Sequence, residues 1–499
     1  MLPQIRLDRR VRRTLHEQLA DQLRRLILSG ELAPGFRLPP TRRLAEDLGV
    51  SRNVAVLAYE QLQLEGYLTA RVGSGTRVPE TLPEHLLGPA SAAGTLTGDD
   101  SAEPVAARLS RRGERLLEAG AGRMLQRDAP RPFRPGVVAP DLFPAKLWGR
   151  LAGRVWRRPS TELVPYGDPA GHGSLREAIA RHLTRYRAVR CDADRVVVTT
   201  GSQQALDIMA RLLLDAGDRV AVEEPGYPAA RAVFRGAGAE LVGIPVDREG
   251  VNPAACDEGL EDARLIYTTP SHQYPLGVTL PLERRLRLLE TADRTGAWIV
   301  EDDYDSEFRY ESRPLPSLQG LDRRGRVIYV GSFSKVLAPG LRVGYVVLPE
   351  PLVEPFVGAR TVMDYHVSTP VQAILAEFMG EGHLERHIAR LRTVYERRWR
   401  LLRDSLDALA SGPLALDVLP GAAGLHLTAL LPDGVDDRRA ESCAAERGID
   451  APALSRHYLG AEHRSSGLVL GFGVAGEEDL REGVRVLRRV LERVAEEDA

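Results

Sequence analysis

Lysine is nearly absent from this chain, and one of its two lysines stands in a segment suited to chemistry. Of the 67 basic residues in the 499-residue sequence, only Lys146 and Lys335 are lysines. Lys335 closes the run Gly331-Ser332-Phe333-Ser334-Lys335, just past an expected strand end, where α/β domains place ligands. Schiff-base chemistry with an aldehyde requires a primary amine, which arginine cannot supply. We therefore predict that Lys335 is retained for this reaction.

Other residues supply the ring contacts of a pyridoxal phosphate (PLP) site. Asp302 follows the apolar run Trp298-Ile299-Val300, and its carboxylate would keep the pyridine nitrogen of the cofactor protonated. Tyr304 would bond the phenolic oxygen of the ring, and Tyr227 would stack on the ring face. These residue types predict PLP as the cofactor.

The phosphate of that cofactor has its own expected site. Gly201, Ser202 and Gln203 lie at a strand-to-helix turn, where free N–H groups and the helix dipole favour an anion. Ser332 and Arg342 would complete this phosphate cup.

The elements that position these residues alternate between strand and helix, as in a doubly wound α/β domain. Helices are expected at 202–215 and 282–294, and an amphipathic helix at 477–497 ends the chain. The expected strands are 195–200, 219–223, 241–246, 264–269, 297–302, 326–331 and 344–348.

The stretch from about Phe133 onward resembles the fold-type I aminotransferases in several motifs. They include Y-G-D-P-A-G from Tyr166, T-T-G-S-Q-Q-A-L, T-P-S-H-Q-Y-P-L-G, E-D-D-Y-D-S-E-F-R-Y and the lysine segment. The resemblance implies a large α/β domain that binds PLP. It also implies a homodimer, because in that family the tyrosine matching Tyr166 reaches the phosphate of the partner subunit.

Two departures from the aminotransferase pattern bear on the ligand. Tyr274 replaces an asparagine that bonds the ring oxygen, so His272 or Gln273 would have to substitute for that contact. Val469 stands where aminotransferases carry the arginine that binds a substrate carboxylate.

A second carboxylate contact is also missing. Ala229 occupies the position of an arginine found in GABA-sensing relatives. Arg464 and Arg231 lie nearby in the sequence and are the candidates to compensate.

The N-terminal 78 residues differ in charge from the rest of the chain. They carry a net charge of +5, against −7 for the remainder, and clustered cations suit phosphate contacts. Helical spacing predicts helices at 14–29, 41–48 and 52–65, of which the last two are joined by Gly49-Val50. A hairpin with glycines at its tip follows.

This segment, Leu15 to Val78, resembles the winged helix-turn-helix of the GntR regulators through L-P-P-T-R-R-L-A-E-D-L-G-V-S-R-N and G-S-G-T-R-V. The resemblance implies that the third helix, capped by Ser51, enters the DNA major groove, where Arg52 and Asn53 bond bases. The remaining DNA contacts are expected from Arg42, Arg43, Arg71 and Gly73.

Together the two halves resemble the MocR/GabR subfamily of GntR regulators. We predict a DNA-binding domain at 1–78, a linker at 79–128 with a helical piece near 105–119, and an aminotransferase-like effector domain at 129–499. The expected partners are a double-stranded DNA operator, a small-molecule effector and a second copy of the chain.

Two functions remain open on the sequence. The chain is either a regulator with a PLP-binding sensor domain or an active aminotransferase tethered to DNA, and the missing carboxylate arginine favours the sensor. The effector would be PLP itself, as in regulators of vitamin B6 synthesis, with an amino acid or amine as the alternative.

Composition restricts the setting of the protein. No apolar run reaches the roughly 18 residues of a membrane span, so we expect a cytoplasmic protein without membrane contact. Three cysteines, Cys191, Cys256 and Cys443, are far apart, which argues against disulfides and a zinc site, and no metal is expected.

Overall fold

The chain forms two units, residues 1–107 and 108–499, in a computed structural model. The structure describes residues 5–9, 11, 13–71, 75–81, 108–118, 131–311, 316–411, 414–460 and 464–498. None of the helices in this described part has the length and apolar character that a membrane crossing requires.

The first unit is a three-helix domain with a short hairpin. Its elements are α1 (Leu15–Leu28), α2 (Thr41–Leu48), α3 (Arg52–Leu64), β1 (Thr69–Arg71) and β2 (Gly75–Arg77). The two strands pair antiparallel, and fully buried Leu19, Leu23 and Leu62 hold α1 against α3. Gly49 ends α2 at a φ of 62°, a left-handed conformation that suits glycine. The predicted helix-turn-helix and hairpin are confirmed, and the tip with Gly73 lies outside the described residues.

The second unit is built on an eight-stranded mixed sheet in the order β3-β10-β9-β8-β7-β4-β5-β6. The run from β9 to β5 is parallel, while β3, β10 and β6 pair antiparallel. The strands are β3 (Val196–Thr199), β4 (Arg219–Glu224), β5 (Glu240–Asp247), β6 (Gly250–Val251), β7 (Ala263–Thr268), β8 (Trp298–Asp303), β9 (Val327–Ser332) and β10 (Gly344–Val347).

Helices cover both faces of this sheet. Neighbouring residues of β8 face different clusters, because Ile299 packs with Leu288 and Val300 packs with Leu206. The helices are α4 (Arg111–Glu118), α5 (Ala145–Val155), α6 (Ser160–Leu163), α7 (Gly173–Arg187), α8 (Ser202–Leu213), α9 (Pro228–Ala237), α10 (Asp257–Glu261), α11 (Leu282–Thr295), α12 (Leu318–Leu321), α13 (Glu350–Asp364), α14 (Thr369–Gly380), α15 (His383–Ala410), α16 (Asp437–Glu446) and α17 (Glu477–Asp498).

All seven predicted strands are present, and the expected α/β class is confirmed. The sequence patterns missed β6 and a separate antiparallel sheet of β11 (Asp417–Val418), β12 (His426–Leu430) and β13 (Gly467–Gly471). These are short strands, and β12 and β13 read as continuous buried runs without the alternation that marks a strand.

Helix α4 comes from the stretch predicted as linker and packs on the second unit. Leu116 lies against α9 so closely that a Cβ added to Gly236 would be 2.5 Å from Leu116 Cδ2. Arg112 also pairs with Asp207 of α8 at 3.2 Å. The neighbouring Leu117 points away and is 70% exposed.

Candidate cofactor site and DNA-contacting helix

Asp302 lies near the carboxyl end of β8, between the parallel strands β7 and β9. Its Oδ2 accepts a hydrogen bond from the Tyr267 hydroxyl at 2.7 Å, while its buried Oδ1 has no partner among the described residues. Burial raises the pKa of Asp302 to about 7. A buried acceptor without a donor is costly, and the protonated ring nitrogen of a pyridine would satisfy it.

Lys335 follows β9 in the chain. Its ammonium donates a hydrogen bond to the backbone carbonyl of Gly136. Burial lowers the pKa of Lys335, and the charges of Asp305 and Asp302 oppose that shift. A lowered pKa increases the fraction of neutral amine, which is the nucleophilic form.

Backbone and guanidinium groups converge at the start of α8. Gly201 precedes the helix at a φ of 86°, and a Cβ added to it would lie 3.1 Å from Nη2 of Arg342. Gly344 approaches so closely that an added Cβ would be 2.8 Å from the Cα of Gly201. Arg342 Nη2 donates to the Thr200 carbonyl at 2.8 Å. Two glycines thus let the chain form a cradle at a helix N-terminus.

The remaining predicted phosphate contacts lie beside this cradle. Ser202 is the first residue of α8. Ser332 ends β9, and its hydroxyl lies 2.9 Å from that of Ser334. The Gln203 side chain donates to the Ala229 carbonyl at 3.0 Å. The phosphate contact predicted for Gln203 would therefore come from its backbone N–H.

Tyr304 and its neighbours form a buried polar cluster. The Tyr304 hydroxyl donates to the His272 carbonyl at 2.9 Å and lies 3.1 Å from His272 Nδ1. Asp305 holds the same Nδ1 at 3.0 Å. The bond from Tyr304 to a ring oxygen stays a prediction, since its hydroxyl contacts His272 here.

Although no metal was predicted, candidate ligand atoms of His272, Asp305 and His426 lie within 4.8 Å of one another. Hydrogen bonds already engage all three side chains, because Asp305 contacts His272 and His426 Nε2 contacts the Pro275 carbonyl at 3.0 Å.

Aromatic side chains surround the place predicted for the ring. The Tyr227 and Tyr274 rings meet edge to face with centroids 5.6 Å apart, and Tyr274 and Tyr304 are 6.3 Å apart. Burial raises the pKa of Tyr227 to about 12. Tyr227 immediately precedes α9, so the predicted stacking residue is fixed at the start of a helix.

The two arginines expected to compensate for the missing carboxylate contact differ in availability. Arg231 is buried, and its terminal nitrogens donate to the carbonyls of His457 and Glu223 at 2.6 and 2.5 Å. It therefore has no free pair of donors for a bidentate carboxylate bond. Arg464 is exposed and donates to the Gly460 carbonyl.

Tyr166 lies on the surface of the second unit. It is 82% exposed and stacks on Tyr365 with ring centroids 5.1 Å apart. An exposed tyrosine is available to a neighbouring subunit, as the predicted homodimer requires.

The DNA-contacting residues predicted on α3 are accessible. Arg52 and Asn53 are both exposed in its first turn. The expectation that Ser51 caps this helix is wrong in one respect, since Ser51 occupies the N-cap position but makes no side-chain capping hydrogen bond. Its backbone is extended there, and the hydroxyl does not turn back to the helix.

The other predicted DNA contacts lie on α2 and the hairpin. Arg42 and Arg43 are exposed, and Arg42 forms an exposed ion pair with Glu46 at 3.4 Å. Arg71 ends β1.

Sequence reasoning missed three residues near the site. Tyr267 carries the hydroxyl that bonds Asp302, and a tyrosine directly after the apolar residues Leu265 and Ile266 of a strand was the available signal. His426 and His457 flank Tyr274, with ring centroids 5.3 and 5.2 Å from it. Their segments carry no periodic pattern that would have marked them.

Comparisons with known proteins match both units. Residues 15–78 match the family "Bacterial regulatory proteins, gntR family", and residues 158–458 match "Aminotransferase class I and II". The MocR protein of Rhizobium meliloti, described as a probable regulatory protein of rhizopine catabolism, is 40% identical over 97% of this chain and 94% of its own length.

Two further proteins extend this similarity. PdxR of Corynebacterium glutamicum, a pyridoxine biosynthesis transcriptional regulator, is 35% identical over 93% of each chain. The crystal structure of Pyrococcus horikoshii kynurenine aminotransferase covers 78% of this chain and 95% of its own, with a TM-score of 0.69 and 28% identity.

Proposed function

We propose that this chain, which belongs to the MocR/GabR subfamily of GntR regulators, is a transcriptional regulator that binds operator DNA and holds PLP at Lys335. The unpartnered Oδ1 of Asp302 carries the cofactor part of the proposal, because it sits buried beside a lysine whose pKa burial lowers. The exposed first turn of α3 supports the DNA part.

The residues present fit the cofactor. Asp302 would hold the ring nitrogen, Tyr227 the ring face, and the cradle at Gly201 with Arg342 the phosphate. When bound, PLP supplies an aldehyde that condenses with a primary amine and a ring that withdraws electrons. The exposed Tyr166 supports a homodimer in which it reaches the phosphate in the partner subunit.

The role we infer is sensing, with turnover of amino acids secondary at most. A transaminase must orient its substrate carboxylate, and Val469 stands where aminotransferases carry the arginine for that contact. Arg231 cannot take over, since both its terminal nitrogens bond backbone carbonyls. The relatives described as regulators support the same role.

We infer that helix α4 responds to cofactor binding, because it contacts the two helices that begin at the cofactor site. The cradle at Gly201 starts α8, and Tyr227 starts α9. Through Arg112 and Leu116, α4 contacts both of these helices, and the chain N-terminal to α4 leads to the first unit. A shift of either helix when the cofactor binds would therefore move α4.

PLP itself is the effector in this proposal, and the similarity to a pyridoxine biosynthesis regulator supports it. An effector acts only through different affinities for two states, so operator affinity should differ between cofactor-free and PLP-loaded protein without any amine. Fluorescence anisotropy with operator DNA measures this difference. Equal affinities of the two forms would contradict the proposal.

The coupling through α4 has a matched pair of variants. Leu116→Ala should reduce the effect of PLP on operator affinity while leaving the visible absorption of the bound cofactor unchanged. Leu117→Ala removes the same atoms from a side chain that is 70% exposed and should change neither property. Equal behaviour of the two variants would argue against α4 as the connection.

A second candidate is a sensor of a separate small amine or amino acid. The similarity to a rhizopine catabolism regulator supports this alternative. It predicts that PLP-loaded and cofactor-free protein bind the operator equally until an amine is added.

A further inference from the structure

Three buried histidines and a tyrosine lie next to the cofactor site, and we call them the imidazole cluster: His272, His426, His457 and Tyr274. The His272 and His426 ring centroids are 4.6 Å apart, and Tyr274 lies 5.3 Å from His426 and 5.2 Å from His457. All three histidines are at most 5% exposed. His272 Nε2 and His457 Nδ1 have no hydrogen-bond partner among the described residues.

Two histidines of this cluster, His426 and His457, bring no positive charge to the site. Burial lowers the pKa of His426 well below its ordinary value and that of His457 to about 3, so both rings are neutral near neutral pH. The carboxylates that act on Lys335 are Asp305 and Asp302. The charges that act on the lysine are therefore negative.

Apolar side chains fill the position at which aminotransferases carry the carboxylate-binding arginine. Val469 is fully buried with Leu276 and Leu454. Its cross-strand neighbour Thr428 donates to the Pro275 carbonyl at 2.6 Å, and His426 contacts the same carbonyl. This face of the small sheet thus packs directly on the turn at Pro275, and the described residues offer no donor pair there for a carboxylate.

We infer that the small ligand admitted beside Lys335 is an amine without a carboxylate, carrying hydroxyl or apolar groups instead. Hydroxyls match neutral imidazoles and tyrosines as partners, and the amine is attracted by the nearby carboxylates. A carboxylate buried beside Val469 would meet no arginine among the described residues of the same chain, and it would face the like charge of Asp305. The inference rests on the PLP-binding part of the proposed function, and it names the class of ligand that the PLP-loaded site would admit whether or not that ligand is the effector.

The test compares amines with the matching amino acids on full-length PLP-loaded protein. Ethanolamine is titrated against serine, and 2-phenylethylamine against phenylalanine, with the Lys335-dependent visible band reporting occupancy. Free PLP in solution is titrated with the same compounds, which gives the ratio of amine affinity to amino-acid affinity in the absence of protein. We expect each amine to bind at least about tenfold more tightly than its amino acid after this correction.

The preference should depend on the charge of Asp305. Asp305→Asn keeps the size of the side chain, and we expect it to reduce the preference for amines several-fold. Asp194→Asn removes the same charge from a side chain that is 98% exposed and should leave the preference unchanged. An unchanged preference in Asp305→Asn would overturn the electrostatic argument.

The two proposals fail in different ways. If no visible band depends on Lys335, the proposed function is wrong. If the band is present but the amino acids bind as tightly as the amines, or neither class binds, the band supports the cofactor site and only the inference on ligand class is overturned.

Discussion

Arg52 and Asn53 stand exposed in the first turn of α3, whereas Asp302 is 4% exposed at the end of a parallel strand. Arg52 and Asn53 are in contact with solvent and its ions. Asp302 carries an unpartnered oxygen and a raised pKa before any cofactor binds. In the proposed function, DNA binding through the exposed pair should therefore respond to ionic strength, while cofactor binding at Asp302 should respond to pH and to the fit of one molecule.

The two sites also differ in the source of their binding free energy. Exposed arginines gain affinity by displacing counterions from phosphates, one contact at a time. The buried site depends on groups whose cost of burial is offset only when a matching ligand is present. A single substitution should therefore weaken DNA binding only in part, whereas a single substitution at the cofactor site should abolish most of the cofactor binding.

The largest effect is expected from Lys335→Ala. The variant lacks the amine that would hold PLP, so purified protein should lose the visible absorption band entirely. Lys146→Ala is the matched control, because Lys146 is exposed on α5 and is the only other lysine. A band that survives in Lys335→Ala and disappears in Lys146→Ala would reverse the assignment.

Asp302→Asn should separate cofactor binding from stability. The folded pKa of Asp302 is raised from 3.8 to about 7, so this carboxyl destabilises the cofactor-free fold increasingly as pH rises between those values. Asparagine does not titrate. The variant should bind PLP more weakly, yet its free energy of unfolding relative to wild type should increase as pH rises.

Urea unfolding of cofactor-free protein between about pH 5 and about pH 8 measures this difference. Glu301 and Glu307 also have pKa values raised to about 7, but they are common to both proteins and cancel. A difference that stays constant with pH would show that Asp302 does not titrate in this range.

The residues that the sequence could predict lie in segments with a local signal, and those that it missed do not. Lys335, Asp302 and the strands that carry them stand in motifs with strong local signals, namely apolar runs ending in polar residues. His426 and His457 come from a small sheet whose contacts join residues about 150 positions apart, such as His426 with Pro275. Such contacts follow from tertiary packing, which local patterns do not encode.

Arg52→Ala and Asn53→Ala test the exposed side of the comparison. Losing one bidentate base contact should weaken operator binding by about 1 to 3 kcal/mol and relax specificity at one base pair. Affinities for the operator and for single-base variants of it measure both effects. Full operator affinity in the double variant would remove α3 as the reading helix.

The smallest effect is expected from Arg42→Ala. Arg42 is 82% exposed on its side chain and pairs with Glu46 at 3.4 Å, an exposed pair that contributes little to stability. If Arg42 contacts a phosphate, its loss should weaken binding to all DNA sequences alike and reduce the slope of log affinity against log salt by about one.

Glu46→Gln should act in the opposite direction, since it releases Arg42 from its partner and removes a negative charge. Arg25→Ala on α1 removes the same charge from an exposed residue outside the predicted contacts and serves as the control. A slope unchanged in Arg42→Ala but reduced in Arg25→Ala would mean that the phosphate contacts lie along α1, and the DNA-binding surface would have to be placed there.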